Sequence, residues 1–228
     1  MSFEVLDNFF QVAVLGGAAG AAAVLFLRRQ QRRFLILAFS YACFAMGTLF
    51  YVLHLVITGT VPQIFYVAEV SWLASYLFLL LLQILRAQAR PPHLYVPACA
   101  LALLAAALIV LFHIFGPSYP VSVLFALTAG ALVYLSVCGL RSSAAHSCST
   151  AYRPDAAHST GQAPRSRMVP LTLDFLLTVI VFLQAGLYIV SDFTREYTRF
   201  NLYFAIDLTL TGCLAALLPV TLREAHGE

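Results

Sequence analysis

The chain has 228 residues, 61% of them hydrophobic and only 10% charged, with a mean hydropathy of +0.88. Those values exclude a soluble domain of this length and specify a polytopic membrane protein. The net charge of +3 is carried by arginines that flank apolar runs, so it marks membrane topology and gives no reason to expect a nucleic-acid partner.

In chain order, hydrophobic runs of about 20 residues fall near 9–27, 34–57, 63–85, 94–115, 121–140, 170–190 and 201–221. The expected fold is therefore all-α: one membrane domain over 1–228, built as a bundle of seven transmembrane helices with the lipid bilayer as its surroundings. The first run follows Glu4 and Asp7 and precedes Arg28, Arg29, Arg32 and Arg33, the reverse of the charge order of a cleaved signal peptide, so it reads as a retained span. Gly16, Gly17 and Gly20 give that span small residues that would let another helix approach closely.

Arginine also sets the expected orientation. Arg28, Arg29, Arg32, Arg33, Arg86, Arg90, Arg141, Arg153, Arg165, Arg167 and Arg223 follow the odd-numbered spans, while Arg195 and Arg199 alone fall on the other side. The excess of positive charge on cytoplasmic loops then places the amino terminus outside and the carboxyl terminus inside, in a plasma (cytoplasmic) membrane. The connections are mostly short, which favours antiparallel packing of sequential helices. The exception is 141–169, rich in Ser, Ala, Pro and His without apolar periodicity, expected as a flexible cytoplasmic loop that can meet a partner.

The third span, from Pro62 to Gln83, carries a carboxyl group where the bilayer is apolar. Counted from Pro62, Glu69 lies roughly 10 Å below the membrane surface, where an unpaired charge costs several kcal/mol. Tyr66, Glu69, Trp72, Tyr76 and Gln83 recur at helical spacing and give this span one polar, aromatic face. Ser40, Phe44, Gly47, Tyr51 and His54 form a similar stripe on the second span, and Tyr203, Asp207 and Thr211 on the seventh. Tyr188 on the sixth span lies near the same depth. If these faces converge, they line an outward-opening pocket in which Glu69 and Asp207 share a proton or pair with His54.

A structural explanation competes at each position. Intramembrane Tyr, Ser and Thr commonly serve as interhelical hydrogen-bond partners worth about 0.6 kcal/mol, which would account for Tyr51, Tyr76, Tyr188 and Tyr203. His54 lies near enough to the interface to be solvated, and Trp72 can be a packing residue. Solvation or helix-end electrostatics would account for Asp174 at the inner edge. Glu69 and Asp207 differ because a buried acid carries a real penalty in lipid.

No serine-elbow, HExxH or phosphate-loop motif occurs, and neither the five cysteines nor the histidines show metal-ligand spacing, so no metal site and no catalytic residue are expected. In size and outside-to-inside topology the chain resembles the microbial rhodopsins, but it has no lysine for a retinal Schiff base, and no cofactor is expected. The candidate ligand- or proton-binding set is Glu69, Asp207, His54, Tyr51, Trp72, Tyr66, Tyr76, Tyr188 and Tyr203. It suits a receptor-like module sensing a small ligand. A small-solute or proton-coupled transporter is the alternative, followed by an intramembrane lipid hydrolase with Glu69 or Asp207 as base and His54 assisting.

Overall fold

The computed structural model describes residues 3–60, 66–87, 95–113, 119–151, 172–194 and 196–227. These form seven helices: α1 (Phe3–Arg29), α2 (Arg32–Thr58), α3 (Tyr66–Ala87), α4 (Val96–His113), α5 (Tyr119–Ala151), α6 (Leu173–Phe193) and α7 (Leu202–Gly227). Six are long and apolar enough to cross a membrane, and the described apolar part of α4, Val96–Leu111, is shorter. At about 1.5 Å per residue, the 18 residues of α4 fall just short of a hydrocarbon core about 30 Å thick. The chain is a helical membrane bundle.

Local sequence explains where several helices stop. Between α1 and α2 the chain reverses in two residues. Gln30 adopts a left-handed φ of 55° while its N–H closes on Phe26 O at 2.7 Å. Gly59 ends α2 at φ 69°, its N–H on Leu55 O at 3.0 Å, a conformation that costs glycine least. Thr172 Oγ1 caps α6 by accepting from Phe175 N at 3.3 Å, and Asn201 Oδ1 accepts from Phe204 N at 3.3 Å at the start of α7.

The helices pack as a ring in the order α1, α2, α3, α5, α6, α7 and back to α1, with α4 outside it against α5 and α6. Sequential neighbours are the rule except after α3, whose next ring partner is α5. The core along the ring includes Leu37, Tyr41, Tyr76, Leu79, Leu132, Leu177 and Ile180. Two glycines set close approaches. A Cβ on Gly47 would lie 2.9 Å from Trp72 Nε1 and 3.0 Å from Ala68 O, and one on Gly130 would lie 3.2 Å from Ala102 O. Among the described residues, nothing lies within 4 Å of such a Cβ at Gly16, Gly17 or Gly20, so no described helix of this chain seats against them.

Two boundaries differ from the sequence expectation and both matter. Helix α1 begins at Phe3, so Glu4 and Asp7, read as flanking charges, are helical, and Asp7 is buried. Helix α5 continues to Ala151, so 141–151, expected as flexible loop, is helix; 152–169 lies outside the described residues.

Candidate functional site

Four buried carboxyl groups lie within the described helices: Asp7, Glu69, Asp174 and Asp207, at 4%, 7%, 1% and 7% exposure. Three are near the end of the bundle where α1 starts, and Asp174 is near the other. A polar layer surrounds each set.

The layer near the start of α1 is a directed relay across four helices. Trp72 Nε1 on α3 donates to Thr48 Oγ1 on α2 at 3.3 Å. The Thr48 hydroxyl donates onward to Gln11 Oε1 on α1 at 2.8 Å. The Gln11 amide then donates to Asp207 Oδ1 at 3.1 Å and Thr211 Oγ1 at 2.9 Å, both on α7. The direction is forced at its start, since an indole N–H only donates. The Asp207 carboxyl also faces that of Asp7, one turn above Gln11 on α1, within hydrogen-bonding reach. The carboxyl partner of Asp207 is thus that of Asp7.

Beside this relay, Tyr76 Oη on α3 donates to Gln184 Oε1 on α6 at 3.1 Å, and Gln184 also bonds Tyr188. Tyr76 lies within electrostatic reach of Asp207, and Tyr188 within reach of Glu69. Phe125 fills the space between these phenols, edge-on to Tyr76 at 4.8 Å and to Tyr188 at 6.0 Å. Glu69 and Asp207 therefore belong to one polar layer, joined through Tyr188, Gln184 and Tyr76.

Toward the end of the bundle, Tyr51 Oη donates to Glu4 Oε1 at 2.6 Å, and Tyr203 lies within electrostatic reach of Tyr51, Glu4 and Asp207. Tyr197, in the connection between α6 and α7, stacks edge-on against Tyr203 at 5.3 Å. Burial, followed by the charges of Glu4 and Asp192, pushes the Tyr197 phenol above its ordinary range. His54 is half-buried, with its ring 6.3 Å from that of Phe50. The side chain of Tyr66 lies outside the described residues.

The second layer closes the opposite end. Arg86 Nη1 on α3 contacts Asp174 Oδ1 on α6 at 2.9 Å, and Nη2 contacts Glu224 Oε2 on α7 at 3.0 Å. The Gln83 amide donates to Asp174 Oδ1 and its carbonyl accepts from Arg86 at 2.7 Å. Glu224 Oε1 also accepts from Leu173 N at the start of α6. Asp174 is thus held by a buried ion pair, not by solvent. Between the layers lie Leu79 and Leu82 on α3 and Leu177, Ile180 and Val181 on α6, all buried. The two polar layers are separated by roughly two turns of apolar helix.

Among the described residues, no three His, Cys, Asp or Glu side chains gather closely enough to hold a metal ion. The sequence stripes pointed to Asp207, Thr211, Glu69, Tyr76 and Trp72 but passed over Asp7, Gln11 and Thr48. The missed signal was a spacing: Glu4, Asp7, Gln11 and Leu15 step by three, four and four, the same periodicity that marked the other stripes. No family model matches the sequence, and no curated protein or solved structure is similar enough to it to count as a match.

Proposed function

We propose that this protein is a receptor-like membrane sensor, a seven-span bundle with the start of α1 facing outward, whose outer polar layer responds to a small ligand. One observation supports it. Polar side chains from α1, α2, α3, α6 and α7 meet in a single buried layer centred on Gln11, Asp207 and Tyr76. A stable span has no need of carboxyl groups at that depth, and each one costs free energy there. A contact between a ligand and this layer would be felt by five helices at once. This reading counts α4 as the seventh span, which its apolar composition supports although it is short, and takes the orientation from the arginine distribution.

The test is a thermal-shift screen of the purified protein against small acids, amines, sugars and lipids, repeated on Glu69→Gln and Asp207→Asn. A compound that stabilises the native chain and loses that effect in the variants supports the sensor. Stabilisation that survives both substitutions removes this layer as its site. A second reading, a proton-coupled carrier of small solutes, is favoured by the apolar separation between the two polar layers, as expected of a pathway closed at its middle. Flux of the stabilising compound into sealed vesicles, driven by a proton gradient, would favour the carrier over the sensor.

A further inference from the structure

We propose that Asp7 and Asp207 form a proton-binding site, in which two carboxyl groups share one proton whose release drives α1 away from α7. The proposal rests on the reading of the outer layer as the responsive site and names the ligand that this part of it takes.

The chemistry follows from the contacts. The Asp7 and Asp207 carboxyl groups lie within hydrogen-bonding reach of each other; as two carboxylates they would repel there, and a proton on one of them turns the contact into a hydrogen bond. Asp7 is 4% exposed, and its Oδ2 is buried with no N–H or neutral hydroxyl donating to it. Asp207 Oδ1 is already occupied by Gln11 Nε2. A buried carboxyl oxygen lacking a donor is costly, and more so if charged, so the shared proton is what makes the pair tenable.

The groups packed around the pair leave it without a cation. On α1 there is Glu4, one turn nearer the end of the bundle; on α2, Tyr51; on α3, Tyr76 within reach of Asp207, and Glu69 beyond Tyr188 of α6; on α7, Tyr203; and Tyr197 in the connection. All are phenols or carboxyls. No arginine or histidine among the described residues bonds to either aspartate, unlike Asp174, which has Arg86. The two inner and outer acids are therefore built for different work, one for a fixed ion pair and the other for a removable proton.

Release can be written as a balanced step. The acid–carboxylate pair loses one proton and becomes two carboxylates, and the proton passes to the half-buried Glu4 carboxylate and from there to water. Two adjacent negative charges in an apolar interior repel, and the elements that carry them are α1 and α7. Gln11 sits between them, so their separation breaks its bonds to Asp207 and Thr211. The change then reaches Thr48 and Trp72 along the relay.

Infrared difference spectroscopy on the full chain in nanodiscs, between acid and alkaline buffer, tests this directly. The expected result is a carboxylic-acid carbonyl band at low pH that disappears on raising pH, with one proton released per chain. The emission of Trp72, the single tryptophan, changes at the same midpoint. Asp7→Asn and Asp207→Asn each remove the band and the pH response of the emission, whereas Glu224→Gln, at the opposite end of the bundle, keeps both. Should the variants not fold, isotope-labelled aspartate in the native chain must shift the band. A band that ignores the label, one lost only in Glu69→Gln, or no band at any pH overturns the proposal. So does a midpoint that moves when sodium replaces choline, because the site would then hold a sodium ion. A failed compound screen beside an intact band removes the wider sensor and keeps the proton site, and a compound response without the band does the reverse.

Discussion

Replacing Arg86 by Met should destabilise the bundle far more than replacing Glu224 by Gln, although Arg86 touches both acids. The Asp174 side chain is 1% exposed, Arg86 21% and Glu224 29%. Removing the guanidinium takes away the cation that Asp174 meets at 2.9 Å and leaves a carboxyl group that is 1% exposed. Breaking a buried pair from one side costs about 3–5 kcal/mol, and the partial exposure of Arg86 places the loss near the lower figure. Glu224→Gln, at the exposed rim, keeps an oxygen for Arg86 and for Leu173 N, so its cost falls within about 0–1 kcal/mol. The double replacement Arg86→Met with Asp174→Leu should recover most of the loss, since apolar residues of similar volume often match a buried pair. Equilibrium unfolding of the four proteins in mixed detergent gives the comparison. Equal losses for Arg86→Met and Glu224→Gln, or no recovery in the double variant, would refute the claim that Asp174 depends on a desolvated ion pair.

Gly47→Ala puts a methyl 2.9 Å from Trp72 Nε1 and 3.0 Å from the Ala68 carbonyl. The expected loss is about 1–3 kcal/mol for such overpacking, measured by the same unfolding assay together with a shift in Trp72 emission. Thr48→Val removes the acceptor of the indole N–H and the donor to Gln11 in one step. The Trp72 emission should then stop following pH while the carboxylic-acid band persists. Tyr76→Phe deletes only the bond to Gln184 and should cost about 0.6 kcal/mol; a loss several times larger would mean that its hydroxyl holds more of the layer than that one contact.

What could be read from the sequence was whatever repeats along one helix. The stripes on α2, α3 and α7 have a period that survives without knowledge of neighbours, so Thr211, Asp207 and Glu69 were correctly placed on interior faces. Which stripes meet is a property of the ring order, and nothing in the local pattern of α3 says that it passes α4 and packs on α5. The pairing of Asp207 with Asp7 was hidden for a simpler reason. Hydropathy starts a span at the first unbroken apolar run, near residue 9, and so places Glu4 and Asp7 in water by construction. The helix starts earlier because one face of its first turns, carrying Asp7 and Gln11, packs against protein, where a carboxyl can find a partner. Arg86 and Asp174 were visible as ordinary edge charges, and their contact depends on the end of α3 and the start of α6 lying at the same level.

The very start of α1 is gripped by the connection opposite. Phe3 lies edge-on to Phe200 at 5.4 Å and to Phe204 at 4.7 Å, and its N–H reaches Thr198 O at 3.4 Å. This aromatic clasp lies one turn from Glu4 and Asp7, so a purification tag fused ahead of Met1 would strain the very corner whose titration is to be measured. Handles for labelling or immobilisation belong after α7, where the chain leaves the bundle beside the exposed Arg29–His226 contact.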